Sequence, residues 1–229
     1  MAYVRSALFW PLFLFSSAFW VALAFLVAPF SSKLLGSVSR WWARSFMGLA
    51  RFVLGVRNRV EGRAPSGPHL FAVKHGSMYE AAGSLLIGNE PVVVLKKELA
   101  AIPGWGWAAR RYGVIAIDRA GGAQALRAML AQARAGVAQG RSVVIFPEGT
   151  RVPAGGTPPL QAGFGGLYKA VGLPVVPVAV DSARVWRKGF VQRPGIIRYR
   201  YGEVIPPGLP RDEAERRVHA AINAFEQAG

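Results

Sequence analysis

From Ser6 to Ser32 the chain runs 27 positions without a charge, between Arg5 and Lys33, in a stretch rich in Phe, Leu, Val, Ala and Trp. As a helix this run extends roughly 40 Å at about 1.5 Å per residue. A bilayer hydrocarbon core is about 30 Å thick, so the run is long enough to span it or to enter at a tilt. Pro11 and Pro29 mark irregularities or ends, and Trp10 and Trp20 are candidate interfacial anchors. One Arg before so long a run, with no A-x-A-like site after it, reads as an uncleaved anchor rather than a signal peptide. The basic residues beyond the run favour retention on the cytoplasmic side.

Residues 33–54 change the period. At 100° per residue, Lys33, Arg40, Arg44 and Arg51 fall on one narrow stripe, and Leu35, Val38, Trp42, Phe46, Leu49 and Val53 fall opposite. The pattern predicts a helix lying at a membrane surface, and it is also that of a core helix covering a domain. From Val60 onward, short apolar runs at 70–73, 91–95, 113–117, 142–146 and 174–180 read as buried strands, with 196–201 nearer an edge. Helical spacing recurs at 77–87, 123–138, 164–171 and 212–226, and the turn-rich segment 62–68 marks a boundary. Alternating strands and helices predict an α/β domain over 61–229, a mixed, largely parallel sheet flanked by helices. A membrane-anchoring helical region, residues 1–60, precedes it.

Composition then narrows the classes of function. The 229 residues are 52% hydrophobic, which argues against disorder. The chain contains no cysteine, which excludes a disulfide scaffold, a thiol nucleophile and a thiolate metal site. Three scattered histidines and no dense carboxylate cluster predict no metal. Twenty-eight Lys and Arg against 12 Asp and Glu give a net charge of +16, which raises nucleic acid, anionic membrane or phosphorylated substrate. Residues 1–60 hold seven of the basic residues and no acid, so the placement of the charge favours lipid. No recognised nucleic-acid motif is evident.

The candidate chemistry sits where strands give way to loops. His75 follows the strand at 70–73, a frequent position for sites in α/β folds. Glu80 lies five residues on, and Ser77-x-x-Glu80 also reads as a helix capping box. The apolar run 142–146 enters Pro147-Glu148-Gly149-Thr150-Arg151, where glycine permits close approach and Arg can clamp a phosphate by two parallel hydrogen bonds. The run 113–117 ends in Asp118-Arg119, which also reads as a plain surface pair.

In combination and order, His75-x4-Glu80, Lys96-Lys97-Glu98-Leu99, Ile102-Pro103-Gly104-Trp105-Gly106-Trp107, the 113–119 strand, Phe146–Arg151 and Val175-Val176-Pro177-Val178 resemble the glycerolipid acyltransferase family. That family includes 1-acyl-glycerol-3-phosphate acyltransferases, which make phosphatidic acid. The resemblance covers roughly residues 60–185, and Phe146–Arg151 is its most specific piece. Three positions depart from the family pattern. Glu80 stands where Asp is usual, Lys74 where Asn is frequent before the His, and Gln161-Ala162-Gly163 where Lys-x-Gly is common.

The resemblance implies acyl transfer from acyl-CoA or acyl-carrier protein to a lysophospholipid hydroxyl, on a cytoplasmic membrane with the catalytic domain facing the cytoplasm. Imidazole, with a free pKa of about 6.5, suits a base near neutral pH. The resemblance implies His75 as that base, Glu80 orienting it, and Lys96 as a donor to the oxyanion. Arg119 and Arg151 would hold the acceptor phosphate, with Glu148, Gly149 and Thr150 shaping the pocket. No cofactor beyond the acyl-donor substrate is implied, and membrane phospholipids are the expected partners. Another lysolipid, a lyso-aminolipid or glycerol 3-phosphate is the alternative acceptor. A noncatalytic membrane protein or a nucleic-acid-binding protein is the alternative from a different class.

Overall fold

The computed structural model describes residues 1–226, the side chain of Arg119 excepted. Seven strands form one sheet: β1 (Val56–Glu61), β2 (Leu70–Val73), β3 (Val92–Lys96), β4 (Ile115–Ile117), β5 (Val143–Ile145), β6 (Val175–Val180) and β7 (Gly195–Tyr201). Their order is β1-β7-β6-β2-β5-β3-β4. Strands β6, β2, β5, β3 and β4 are mutually parallel. Strand β7 pairs antiparallel with β6, and β1 runs parallel to β7. The predicted mixed, largely parallel sheet is therefore present.

Both faces of the sheet are covered, which is why its central strands read as unbroken apolar runs instead of alternating ones. Phe71 and Val73 point to one layer, with Val144, Val176, Val178 and Ile197. Leu70 and Ala72 point to the other, with Val143, Ile145 and Val175. The second layer is closed by α6 (Gly122–Ala138), α7 (Ala162–Val171) and α9 (Arg211–Ile222), through Met129, Ala133, Phe164, Leu167, Val218 and Ile222. Four further helices are shorter: α3 (Met78–Gly83), α4 (Lys97–Ala100), α5 (Trp105–Tyr112) and α8 (Ser182–Val185).

The first layer is closed by α1 (Ala2–Val27) and α2 (Ser32–Leu49), a helical hairpin whose second arm is capped by Ser31. Trp20 Nε1 donates to Ser45 Oγ at 2.8 Å and Trp42 Nε1 to Ser17 Oγ at 3.0 Å, pinning the two arms together. Helix α1 is long and apolar enough to cross a membrane, and only 6% of its most apolar window is buried. One edge of it is nonetheless core. Phe9 is 0% exposed and lies among Phe46, Tyr79 and Trp186.

Helix α2 corrects the surface-helix expectation. Leu35, Val38 and Phe46 on its apolar side are buried in protein, so α2 covers the domain and turns Lys33 and Arg44 outward, with Arg51 exposed just past its end. Arg40 from the same stripe is bonded to Glu90 at 2.9 Å. Periodicity could not separate the two outcomes, because bilayer and protein core select the same apolar face. Four elements were not expected: the single-turn helices α4 and α8, strand β1 and helix α5. Strand β1 reads Val-Arg-Asn-Arg-Val-Glu, an edge strand with Arg57, Asn58 and Arg59 exposed, and α5 lay hidden inside the Pro-Gly-Trp-Gly-Trp motif.

Candidate active site

Five parallel strands end on the same edge of the sheet, and the candidate residues follow four of those ends. His75 and Glu80 follow β2, Lys96 closes β3, Arg119 comes after β4, and residues 148–151 follow β5. Positions far apart in sequence are thereby gathered along one edge at about 5 Å per strand.

His75 and Glu80 are in direct contact. His75 Nδ1 lies 2.9 Å from Glu80 Oε1, with Glu80 fully buried and His75 14% exposed. Oε1 also accepts the Ser77 backbone N–H at 2.7 Å, and Oε2 accepts the hydroxyls of Ser77 at 2.7 Å and Ser182 at 2.5 Å. The capping box and the histidine contact are therefore one arrangement of one carboxylate. Burial alone would raise the Glu80 pKa, but the bonds from His75, Ser182 and Ser77 and the charge of His75 outweigh it and hold the carboxyl below its ordinary value. An ionised carboxylate only accepts, so Nδ1 carries the hydrogen, and in the neutral ring Nε2 keeps its lone pair. Phe146 packs on the imidazole with ring centroids 4.4 Å apart.

Gly76 makes the Ser182 contact possible. A Cβ there would fall 2.8 Å from both Ser182 Oγ and the Ala183 nitrogen, so any side chain would push the β6–α8 corner away from Glu80. Ser182 was missed in the sequence. Its signal was a hydroxyl just past the apolar run 174–180, at the end of another parallel strand.

A second buried cluster fixes the backbone of His75. Lys74 Nζ, on a residue 2% exposed, donates to Glu148 Oε1 at 2.6 Å, Asn223 Oδ1 at 2.6 Å and the Gly156 carbonyl at 2.7 Å. Glu148 Oε2 accepts the His75 N–H at 2.9 Å, and the His75 carbonyl accepts the Val152 N–H at 2.7 Å. Glu148 thus faces inward, and both of its oxygens are engaged with Lys74 and His75 rather than turned to solvent. Gly149, at φ +72°, closes the turn that puts it there. Neither Lys74 nor Asn223 was singled out as functional from sequence; Lys74 was noted only as a departure from pattern.

The remaining candidates are more open. Thr150 and Arg151 are exposed and make no side-chain hydrogen bond among the described residues. Lys96 Nζ sits 3.1 Å from Glu98, both half exposed, two strand positions from β2. Asp118 pairs with Lys97 at 2.5 Å, from the element that follows the neighbouring strand, and accepts the Ala120 N–H. Arg119 opens the turn at 119–121, and its side chain lies outside the described residues. An apolar groove of about 440 Å³ runs between α1 and the 103–105 segment, lined by Val21, Ala22, Phe25, Pro103 and Trp105.

Comparison with known proteins identifies the family of the chain. The acyltransferase family model matches residues 56–181, from the first residue of β1 to the residue before Ser182. A 1-acyl-sn-glycerol-3-phosphate acyltransferase of Pseudomonas aeruginosa is 34% identical over 98% of this chain and 88% of its own length. The human 1-acyl-sn-glycerol-3-phosphate acyltransferase alpha is 30% identical over 77% of this chain and 66% of its own. The crystal structure of PlsC, the 1-acyl-sn-glycerophosphate acyltransferase from Thermotoga maritima, aligns with a TM-score of 0.78 over 100% of this chain and 97% of that one. At 21% sequence identity that likeness speaks for the fold. The chain belongs to the acyltransferase family and is an enzyme of that class.

Proposed function

We propose that this enzyme transfers a fatty acyl group from acyl-CoA or acyl-carrier protein to the free hydroxyl of 1-acyl-glycerol-3-phosphate, forming phosphatidic acid. The observation that carries the reading is the 2.9 Å contact between His75 Nδ1 and a fully buried Glu80, which leaves Nε2 free to take a proton. The named activity of the relatives supports the acceptor.

In this reading the acceptor hydroxyl gives its proton to His75 Nε2 as its oxygen bonds to the thioester carbonyl carbon. Glu80 stabilises the imidazolium that forms. The tetrahedral oxyanion collapses, the C–S bond breaks, and His75 returns the proton to the departing thiolate. No acyl-enzyme and no cofactor is needed. Lys96 is the proposed oxyanion donor and would leave Glu98 to serve it. Arg151, without a protein partner among the described residues, would take the acceptor phosphate together with Arg119. Glu148 would act through its hold on Lys74 and His75, with Gly149 and Thr150 forming the rim.

The lysolipid is a membrane component, and the same reading places the enzyme on the cytoplasmic face of the membrane. Both ends of α1 are fastened to the domain. Trp10 Nε1 donates to the Phe190 carbonyl at 2.7 Å, and Phe25 stacks on Trp107 at 4.1 Å between centroids. A helix held at both ends favours entry into one leaflet over a crossing, with the apolar groove beside it suited to a hydrocarbon chain.

The test is a purified-protein assay crossing acyl-CoA and acyl-carrier protein with lysophosphatidic acid, other lysolipids and glycerol 3-phosphate, with products identified. Phosphatidic acid should dominate, and His75→Ala should lose activity by roughly 10²-fold or more. Near-normal turnover of His75→Ala would refute the base. A dominant product other than phosphatidic acid would refute the acceptor.

A further inference from the structure

A cavity of about 610 Å³ lies apart from the acyl-transfer residues, at the start of β1 and β7, lined by Arg5, Arg51, Phe52, Gly55, Arg57 and Ile196. Its three arginines come from three separate elements: the first turns of α1, the segment joining α2 to β1, and β1 itself. Among the described residues none of the three pairs with a carboxylate. Neutralisation from the nearby chain is also scarce, since the first acid in the sequence is Glu61, which is bonded to Arg200. Three guanidinium groups around one cavity repel one another unless an anion joins them, and the planar guanidinium fits phosphate oxygens two at a time.

Two further features give the anion an apolar body. Phe52 is 83% exposed and Ile196 57% exposed on the rim of the cavity. Arg5 is the residue from which the uncharged run of α1 departs. The cavity also opens on the edge of the sheet that carries His75. Strands β1 and β7 run opposite to β6 and β2, so their first residues lie beyond the end of β2: Val73 is level with Val178 and so with Tyr201, while Gly195 and Val56 stand roughly 20 Å further along and two to three strands across.

We propose that this cavity binds the phosphate of an anionic phospholipid of the host leaflet, as a headgroup site separate from the one that takes the acceptor. The inference rests on the reading that α1 enters a leaflet. A lipid held here sets the height and tilt of the sheet edge against the headgroup plane, and so the level at which His75 meets its acceptor.

The test uses the full-length protein in three forms: the wild type, R5Q/R51Q/R57Q, and a charge-matched control, R127Q/R134Q/K169Q. The control positions lie on α6 and α7, on the opposite side of the sheet. Flotation compares vesicles of phosphatidylcholine alone, phosphatidylcholine with phosphatidylglycerol, and phosphatidylcholine with oleate at the same zeta potential. No acyl donor is present. All the substituted side chains are exposed, so each variant should keep the wild-type melting temperature.

The wild type should prefer phosphatidylglycerol to oleate at equal charge. The pocket variant should lose affinity for phosphatidylglycerol on the order of 100-fold and lose the preference, while the control stays within about threefold and keeps it. All three should bind phosphatidylcholine alone equally, through α1. Equal losses in the two variants, or a preference that survives R5Q/R51Q/R57Q, would overturn the site. Calorimetric binding of inorganic phosphate that the pocket variant abolishes, with vesicle affinity unchanged, would assign the cavity to a soluble anion instead. Failure of the wild type to bind any vesicle would overturn the leaflet reading itself, and this inference with it.

Discussion

Glu148 holds His75 by its backbone: Oε2 accepts the His75 N–H at 2.9 Å while Oε1 takes the Lys74 ammonium at 2.6 Å. Adjacent residues on the β2 loop are thus bound to one carboxylate from the β5 turn. Lys74 extends the tie to Asn223 beyond α9. Three segments of the fold meet there, and the imidazole is aimed from that junction.

Removing one partner of so buried a pair leaves the other charge without compensation. Lys74→Met should cost about 3–5 kcal/mol in denaturant unfolding. The double variant Lys74→Met with Glu148→Gln should recover part of that loss. A cost below about 1 kcal/mol, as for exposed pairs, would show that the junction does not depend on the ion pair.

Glu80→Gln separates the cap from the charge. Its carbonyl oxygen can still accept from the Ser77 N–H and His75 Nδ1, and its amide can donate to the Ser77 and Ser182 hydroxyls, which rotate to accept. Stability should stay close to wild type while turnover falls roughly 10²–10⁴-fold. Wild-type turnover would reduce Glu80 to a helix cap.

The acid limb of stability should carry the signature of Glu80. Its folded-state pKa lies below the ordinary value of 4.5, so the unfolded chain binds its proton at higher pH than the folded one. The associated stability is present above that ordinary value and drains away as pH falls through the folded pKa. Ser182→Ala removes one donor to the charge and should cost about 1.5–3 kcal/mol near neutral pH. It should also move the folded pKa upward and shrink the loss on acidification. Melting temperature against pH from 3 to 7, for wild type and variant, checks both; superimposable slopes would show that Ser182 does not stabilise the ionised form.

Arg151→Ala should raise the KM for lysophosphatidic acid with a smaller effect on kcat, and should leave an acceptor without phosphate unaffected. Equal KM values on both acceptors before and after substitution would remove Arg151 from phosphate binding.

What the sequence revealed follows from which signals are local. The central strands were legible because β2, β5 and β6, covered on both faces, read as unbroken apolar runs. Strand β1 was not, because an edge strand with Arg57, Asn58 and Arg59 exposed carries no such run. His75, Glu80 and the 148–151 turn were legible because they directly follow strand ends. Ser182 reaches Glu80 across 102 positions and Asn223 reaches Lys74 across 149, separations over which no spacing rule operates. The inward turn of Glu148 was equally invisible, since a carboxylate in a Pro-Glu-Gly turn reads alike whether it faces substrate or a buried lysine.

Phe9 ties the proposed membrane helix into the folded core. Its ring lies 5.7 Å from Trp186 and 6.1 Å from Phe46, centroid to centroid, and both of those rings pack on Tyr79, the neighbour of Glu80. Deleting residues 1–60 would remove Phe9, Phe46 and most of β1 together, and so would dismantle the core as well as any anchor. A leaflet that takes up the outer side of α1 then behaves as a ligand of the native state, and its binding free energy adds to that of folding. On the proposed leaflet reading, the melting temperature should rise with the ratio of lipid to protein, and the bilayer would count as a thermodynamic component of the native state.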